Sequence, residues 1–158
     1  MRDETWIDAL RRTTELSDRF LGKSTMTLPR LYPILDVGLL EARRCPVIDA
    51  ARALLNAGVE ILQWRCKQTV SRRRFEEVEQ VAALCRRFNV PLIVNDRADL
   101  ALLLEAGLHL GQDDLPPSLA RRVLPDGMIG LSTHNKRQIA DSFAEPVDYL
   151  ALGPIFLT

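Results

Sequence analysis

Short apolar runs of strand length alternate with segments of helical period along most of the chain. The runs that predict β-strands cover residues 31–37, 59–67, 91–96, 108–112, 128–133 and 148–154. Helices are predicted between them, near residues 49–57, 71–88, 98–106, 117–123 and 135–143. Ser71 is a plausible N-cap for the longest helix, and Gly58 and Gly107 lie where helices should stop before the next strand. Six strands joined by five helical segments indicate a parallel α/β fold.

Two parallel architectures fit this alternation, an open doubly wound sheet and a (β/α)₈ barrel of the TIM-barrel type. The glycine-rich GxGxxG turn of dinucleotide-binding domains does not follow the first strand. The sequence therefore gives little support to a dinucleotide-binding sheet.

Residues 1–28 do not share the strand–helix alternation. Trp6, Ile7, Leu10 and Phe20 suggest an amphipathic helix that ends near Gly22. We expect an N-terminal helical extension over residues 1–28, packed on a main domain formed by residues 29–158.

Charge and cysteine content narrow the range of partners. The 21 basic and 21 acidic residues give a formal net charge of zero, so neither nucleic acid nor an anionic membrane is an expected partner. Cys45, Cys66 and Cys85 are odd in number and lack CxxC spacing, which argues against a zinc site or a disulfide framework. No apolar run is long enough for a membrane span. These features predict a cytoplasmic protein.

The second predicted strand changes from apolar to cationic along one of its faces. Gln63, Arg65 and Lys67 alternate and therefore share that face, while Leu62 and Trp64 belong to the opposite one. In a barrel this gradient describes an inward face that is core at the bottom and binding site at the top. In the alternative interpretation, the strand tip leaves the sheet and its two cations are simply hydrated.

Polar residues also follow the next three predicted strands. They are Asn95 and Asp96, then Gln112, Asp113 and Asp114, and finally Ser132, Thr133 and His134. Parallel α/β proteins place their sites at the carboxyl ends of their strands. Cations with amide and hydroxyl groups suit an oxygen-rich anion, and separated carboxylates suit a hard cation such as Mg²⁺. These groups predict a site for a metal-bound diphosphate.

Some of the polar residues have simpler explanations. Asp99 and Asp113 are expected to face solvent or to cap helices. His109 is expected to be a hydrogen-bonded histidine of the barrel rather than a general base, and His134 to be a loop residue before a helix. No serine–histidine–acid order or catalytic-cysteine signature stands out.

Five segments, taken together, resemble the thiamine phosphate synthase family, within the superfamily that also contains the thiazole tautomerases. They are QWRCK (63–67), PLIVNDR (91–97), LHLGQDDLP (108–116), IGLSTHN (129–135) and LGPIFLT (152–158). Their order and spacing match the family over about residues 30–158. The family is known to join a hydroxymethylpyrimidine diphosphate to a thiazole phosphate, giving thiamine phosphate and diphosphate.

The resemblance implies a role for each matching residue. Gln63, Arg65, Lys67 and Asn95 would hold the pyrimidine diphosphate, with Gln112 also at the substrate site. Asp96 and Asp114 would coordinate Mg²⁺. Ser132 would hydrogen-bond the pyrimidine, and Thr158 would begin the loop that receives the thiazole phosphate.

The sequence also departs from the family pattern. Trp64 replaces a leucine, Leu157 replaces a proline, and the chain stops at Thr158, after six of the eight strands of a barrel. We expect that this chain alone lacks synthase activity, and that it self-associates through open barrel edges or covers them with residues 1–28. Two alternatives to the synthase are a thiazole tautomerase, which needs no diphosphate site, and a non-catalytic truncated barrel that binds a partner.

Overall fold

The strand–helix alternation of the sequence produces one parallel sheet flanked by helices. The computed structural model describes residues 27–155. The strands are β1 (Ile34–Asp36), β2 (Leu62–Arg65), β3 (Leu92–Asn95), β4 (Gly107–Leu110), β5 (Ile129–Thr133) and β6 (Tyr149–Leu152). The helices are α1 (Val37–Ala42), α2 (Val47–Asn56), α3 (Arg72–Phe88), α4 (Ala98–Leu103), α5 (Pro117–Val123) and α6 (Lys136–Ser142).

The six strands are parallel, and each one pairs with the strand that precedes it in the chain. The spatial order is β1-β2-β3-β4-β5-β6, with Leu35 beside Trp64 and Trp64 beside Val94. A doubly wound sheet would reverse its order at a switch point, so the predicted barrel-type topology is confirmed. Within residues 27–155, β1 and β6 are the outer strands and do not pair with each other, so the barrel is not closed.

The two faces of the sheet bury different kinds of residue. On the outer face, Trp64, Val94 and Leu108 are fully buried in the main hydrophobic core, together with residues of the helices such as Val78 and Val81. On the inner face the apolar side chains Ile61 and Ile93 give way to polar groups toward the carboxyl ends of the strands. The predicted division of β2 into an apolar outer face and a polar inner face is thus observed.

Helix α3 begins and ends where its sequence provides caps. The hydroxyl of Ser71 accepts a hydrogen bond from the backbone N–H of Arg74 at 3.3 Å, as predicted for an N-cap. At the other end Asn89 adopts a left-handed backbone conformation, φ 55° and ψ 40°, which asparagine tolerates better than most residues.

The structure corrects two local predictions. Residues 31–37 were expected to form one strand, but β1 starts at Ile34 and Val37 already opens α1, because the Asp36 side chain caps that helix. Gly107 was expected to stop a helix, but it is the first residue of β4, and Glu105 takes the left-handed position instead. A Cβ on Gly107 would lie 2.4 Å from Cδ1 of Ile93, so the glycine serves close packing of the inner face.

The expected helix containing Trp6, Ile7 and Leu10 lies outside the described residues. Across the described part of the chain, no helix is both long and apolar enough to cross a lipid bilayer.

Candidate functional site

The polar inner faces of the strands enclose one cavity of about 390 Å³ near their carboxyl ends. Gln63 and Arg65 of β2, Asn95 of β3, His109 of β4 and Ser132 of β5 all line it. The alternation of side chains along each strand brings these residues to the same side of the sheet. The cavity is completed by residues before β1, at the start of β1 and in β6, which are Leu28, Pro29, Tyr32, Ile34, Tyr149, Leu150 and Ala151.

A chain of hydrogen bonds crosses this cavity from β2 to β5. The Gln63 amide donates to the Tyr32 hydroxyl at 3.0 Å, and the Tyr32 and Tyr149 hydroxyls are 2.7 Å apart. Tyr149 is 3.0 Å from Nδ1 of His109, whose Nε2 lies 2.8 Å from the Ser132 hydroxyl. Both ring nitrogens of His109 are thus hydrogen-bonded, as expected for a histidine inside the barrel.

Burial keeps the titratable side chains of this hydrogen-bond network uncharged at neutral pH. Desolvation lowers the pKa of His109, although the Asp114 carboxylate opposes this shift. Desolvation also raises the pKa of Tyr32, and it raises that of Tyr149 further, with the neighbouring Tyr32 hydroxyl adding to the effect. The network therefore presents neutral hydrogen-bonding groups to the cavity, not charges.

The Asn95 amide provides a buried hydrogen-bond donor in the cavity. Asn95 is only 6% exposed, and its Nδ2 has no hydrogen-bond partner among the described residues. A buried N–H without a partner costs about 1–3 kcal/mol, so an acceptor atom at this position would relieve that cost.

Each of the two cations of β2 and its following loop is paired with a carboxylate. Arg65 donates through Nη1 to Oδ2 of Asp36, at the end of β1. Lys67 donates through Nζ to Oδ2 of Asp96, just after β3, at 2.6 Å. Both cations thus have a carboxylate partner, while Arg65 and Lys67 remain 37% and 54% exposed.

Asp96 and Asp114 form a pair of neighbouring carboxyl groups beyond the cavity. Burial raises the pKa of Asp96, Lys67 opposes the rise, and the adjacent Asp114 carboxyl adds to it. Oδ2 of Asp114 also accepts the backbone N–H of Gly111 at 2.6 Å. No group of three or more histidine, cysteine or acidic side chains within residues 27–155 is arranged to hold a metal ion.

The structure groups the predicted site residues into two layers. Gln63, Arg65, Asn95 and Ser132 line the cavity, whereas Lys67, Asp96 and Asp114 form the charged layer beside it. Gln112 connects the loop after β4 to β5, because its amide donates to the Ser132 carbonyl at 2.5 Å. Thr158 lies outside the described residues.

Residues expected to have no chemical role occupy peripheral positions. Asp99 is exposed and pairs with Arg97 at 2.6 Å, and Asp113 is exposed. His134 is exposed and contacts the Gly153 carbonyl through Nδ1 at 2.6 Å.

Sequence reasoning missed three residues of the site, Asp36, Tyr32 and Tyr149. Asp36 could have been found by the rule that identified the other polar residues, which looks for polar side chains at the carboxyl ends of strands, because Asp36 is the last residue of β1. The tyrosines carry no such signal: Tyr32 precedes β1, and Tyr149 begins β6, at the level of Gly130 in the sheet.

Comparisons with known proteins agree with one another. The sequence model described as thiamine monophosphate synthase matches residues 31–158. A thiamine-phosphate synthase of Chloroflexus aurantiacus is 43% identical over 131 residues, covering 82% of this chain and 59% of that protein. One of Dictyoglomus thermophilum is 44% identical over 111 residues, covering 69% of this chain and 50% of that protein.

A solved structure gives the same result at the level of the fold. A thiamine phosphate pyrophosphorylase from Pyrococcus furiosus superposes with a TM-score of 0.72 at 27% identity, covering 80% of this chain and 61% of that one. The chain therefore spans between half and about three-fifths of the length of these relatives.

Proposed function

Since this chain belongs to the thiamine monophosphate synthase family, we propose that its cavity binds a hydroxymethylpyrimidine diphosphate for transfer to a thiazole phosphate. The observation that carries the proposal is the convergence of Gln63, Arg65, Asn95 and Ser132 on one cavity, with a buried amide donor of Asn95 left unpaired. This donor set suits a ligand that combines a heteroaromatic ring with anionic oxygens.

The pyrimidine ring would occupy the deeper, neutral part of the cavity. Ser132, His109 and the two tyrosines supply hydroxyl and imidazole groups there, and burial keeps the histidine and tyrosines uncharged. A neutral lining avoids placing a fixed charge against the ring.

The diphosphate would extend from this neutral part toward Arg65 and Lys67. Both cations can approach the departing diphosphate oxygens, and the Asn95 amide can donate to one of them. These groups stabilise the negative charge that grows as the bond between the pyrimidine methylene carbon and the diphosphate oxygen breaks. The thiazole nitrogen then forms the new bond to that carbon, so no side-chain nucleophile is required.

Asp96 and Asp114 fit a magnesium ion. Two neighbouring carboxyl groups oppose each other's ionisation, which contributes to the raised pKa of Asp96, and a divalent cation removes that conflict. Mg²⁺ typically uses one or two protein carboxylates together with water and substrate phosphates. When bound, Mg²⁺ neutralises charge on the diphosphate. Lys67, which holds Asp96 in this structure, would then turn to the diphosphate.

The three free thiols, Cys45, Cys66 and Cys85, support a reducing, cytoplasmic setting for this biosynthetic activity.

The test is calorimetric titration of the chain with hydroxymethylpyrimidine diphosphate, with and without Mg²⁺. We expect Mg²⁺-dependent binding that Asn95→Asp weakens by about ten- to a hundredfold, since hydrogen bonds to charged groups contribute about 1.5–3 kcal/mol. Asn56→Asp is the matched control, because it adds the same charge at the exposed end of α2 and should leave the affinity unchanged.

Two outcomes would contradict the proposal. If the wild-type chain did not bind hydroxymethylpyrimidine diphosphate at all, the proposed diphosphate site would be wrong. Binding that does not depend on Mg²⁺, or that N95D leaves intact, would contradict the assigned ligands. A tautomerase needs no diphosphate site, so the same titration separates the two activities.

A further inference from the structure

Asp36 has two partners that hold its carboxylate in one orientation. Its Oδ1 accepts the backbone N–H of Leu39 at 3.0 Å, which caps α1, and its Oδ2 accepts the Nη1 donor of Arg65. Asp36 and Arg65 are also direct neighbours in the paired strands β1 and β2. Sheet pairing and helix capping thus place the carboxylate against the guanidinium.

Asp36 and Arg65 differ in their relation to the cavity. Arg65 lines it, whereas Asp36 is absent from its lining and reaches the guanidinium from the side of β1. A guanidinium carries five N–H donors in a rigid fork, and Asp36 accepts from the Nη1 end of that fork. The remaining donors are left for an anion in the cavity.

The Arg65 side chain needs such an anchor. It is 37% exposed, so a guanidinium without a partner would sample many rotamers in solvent, and a ligand would have to immobilise it on binding. Because Asp36 already holds one end of the guanidinium in the free protein, the ligand does not have to immobilise the Arg65 side chain on binding. The Asp36 carboxylate also repels an anionic ligand, which works against this gain in affinity. The Leu39 N–H and the Arg65 guanidinium reduce that repulsion because they partly neutralise the carboxylate.

We propose that Asp36 is a positioning residue, which holds the Arg65 guanidinium in the orientation that receives the diphosphate group. This inference rests on the proposed function of the cavity and extends it to a residue that does not touch the ligand. Asp36 acts only through Arg65, and the N-cap of α1 is its separate, structural contribution.

The substitution Asp36→Asn separates the two contributions. Asparagine caps helices as well as aspartate does, so D36N keeps the bond to Leu39 while it removes the ion pair with Arg65. Asp148→Asn is the matched control: Asp148 also pairs with an arginine, Arg121, at 2.7 Å and accepts a backbone N–H, that of Ile129, at 2.7 Å. Asp148 precedes β6 and so lies at the opposite end of the sheet from the site.

The measurement is calorimetric titration with Mg²⁺–pyrophosphate and with hydroxymethylpyrimidine diphosphate, accompanied by thermal melts. We expect D36N to weaken the binding of both ligands about tenfold at an unchanged melting temperature, and D148N to leave the affinity unchanged. In an Arg65→Gln background, D36N should cause no further loss, because its effect passes through the guanidinium. If Asp36 had only a structural role, D36N would still weaken binding in the R65Q background.

The possible failures are distinguishable. Absence of binding by the wild-type chain would overturn the proposed function and this inference together. Normal wild-type binding with equal or tighter binding by D36N would overturn the positioning role alone. An equal loss from D36N in the R65Q background would also overturn it, since Asp36 would then act by another route.

Discussion

At the scale of single residues, the site combines charges at its rim with neutral groups in its interior. The part-buried hydrogen-bond network from Gln63 through Tyr32, Tyr149 and His109 to Ser132 connects these side chains to one another. Such a network is costly to protonate, because an imidazolium at His109 would be desolvated and because its accepting ring nitrogen would become a donor, so that the hydroxyl partner there would have to reorient.

The buried histidine should make stability depend on pH in a defined direction. The pKa of His109 is lower in the folded protein than in the unfolded chain, so acid favours the unfolded state, which takes up the proton first. The wild-type free energy of unfolding should therefore fall below about pH 6.5, by up to about 1.4 kcal/mol per pH unit, until the folded-state pKa is passed. Above about pH 6.5 this contribution is complete.

Urea unfolding at pH 7.5 and 5.5 measures the effect. In His109→Gln the acid-dependent loss should shrink, so the stability difference between wild type and variant becomes smaller at pH 5.5. His134→Gln, which changes the exposed histidine, serves as the control. If H109Q kept the full pH dependence of the wild type, the buried histidine would not be its source.

At the scale of elements, sequence patterns located most strands and helices because burial and capping are local signals. The alternation in β2 correctly placed Gln63 and Arg65 inward and Trp64 outward, and Ser71 correctly marked the start of α3. Short α1 was missed because Val37 continues an apolar run, and only the capping contact of Asp36 with Leu39 shows that the strand has ended. That contact depends on three-dimensional geometry.

Close packing between neighbouring strands is another feature that the sequence does not display. A Cβ on Gly130 of β5 would lie only 2.0–2.5 Å from ring atoms of Tyr149 in β6. The tyrosine ring therefore occupies space that only a glycine leaves open, and this position lets its hydroxyl reach His109 and Tyr32.

Filling that space should disturb the site as well as the strand. Gly130→Ala should lower the free energy of unfolding by about 1–3 kcal/mol through overpacking and should displace Tyr149 from the cavity. Equilibrium unfolding measures the loss, and in a Tyr149→Ala background the same substitution should cost much less. Equal costs in both backgrounds would show that the ring does not limit the space at Gly130.

At the scale of the whole molecule, the order of elements was predictable, whereas the contacts inside the cavity were not. Strand order follows from six short apolar runs separated by helical segments, and it matches the observed sheet. The ion pair of Arg65 with Asp36 joins residues 29 positions apart, and the bond between the Tyr32 and Tyr149 hydroxyls joins residues 117 positions apart. A single sequence contains no local pattern that reports such pairings.

The three thiols differ in burial, so their rates of chemical labelling can report the free energy of global unfolding. Cys66 and Cys85 are buried between sheet and helices, and burial raises the pKa of Cys85 to about 11, whereas Cys45 is partly exposed. At pH 8 only about one Cys85 thiol in a thousand would be ionised even if a reagent could reach it. We expect one thiol to react rapidly with a disulfide reagent in the native protein. The other two should react only as urea populates the unfolded state.

Labelling kinetics across a urea series, with Cys45→Ser as control, test this expectation. The variant should show no rapid phase, and its slow phase should report the same free energy of unfolding as circular dichroism. Rapid labelling of all three thiols would mean that the outer core opens without global unfolding.

The sequential order of the sheet also bears on how the protein is made. Each strand from β2 to β6 pairs with the strand synthesised immediately before it. A nascent chain can therefore add each strand–helix unit to an edge that has already left the ribosome, without waiting for a distant segment. Translation and folding can thus proceed in the same direction, and a pause in elongation would leave a shorter sheet of native pairings rather than a set of unmatched strands.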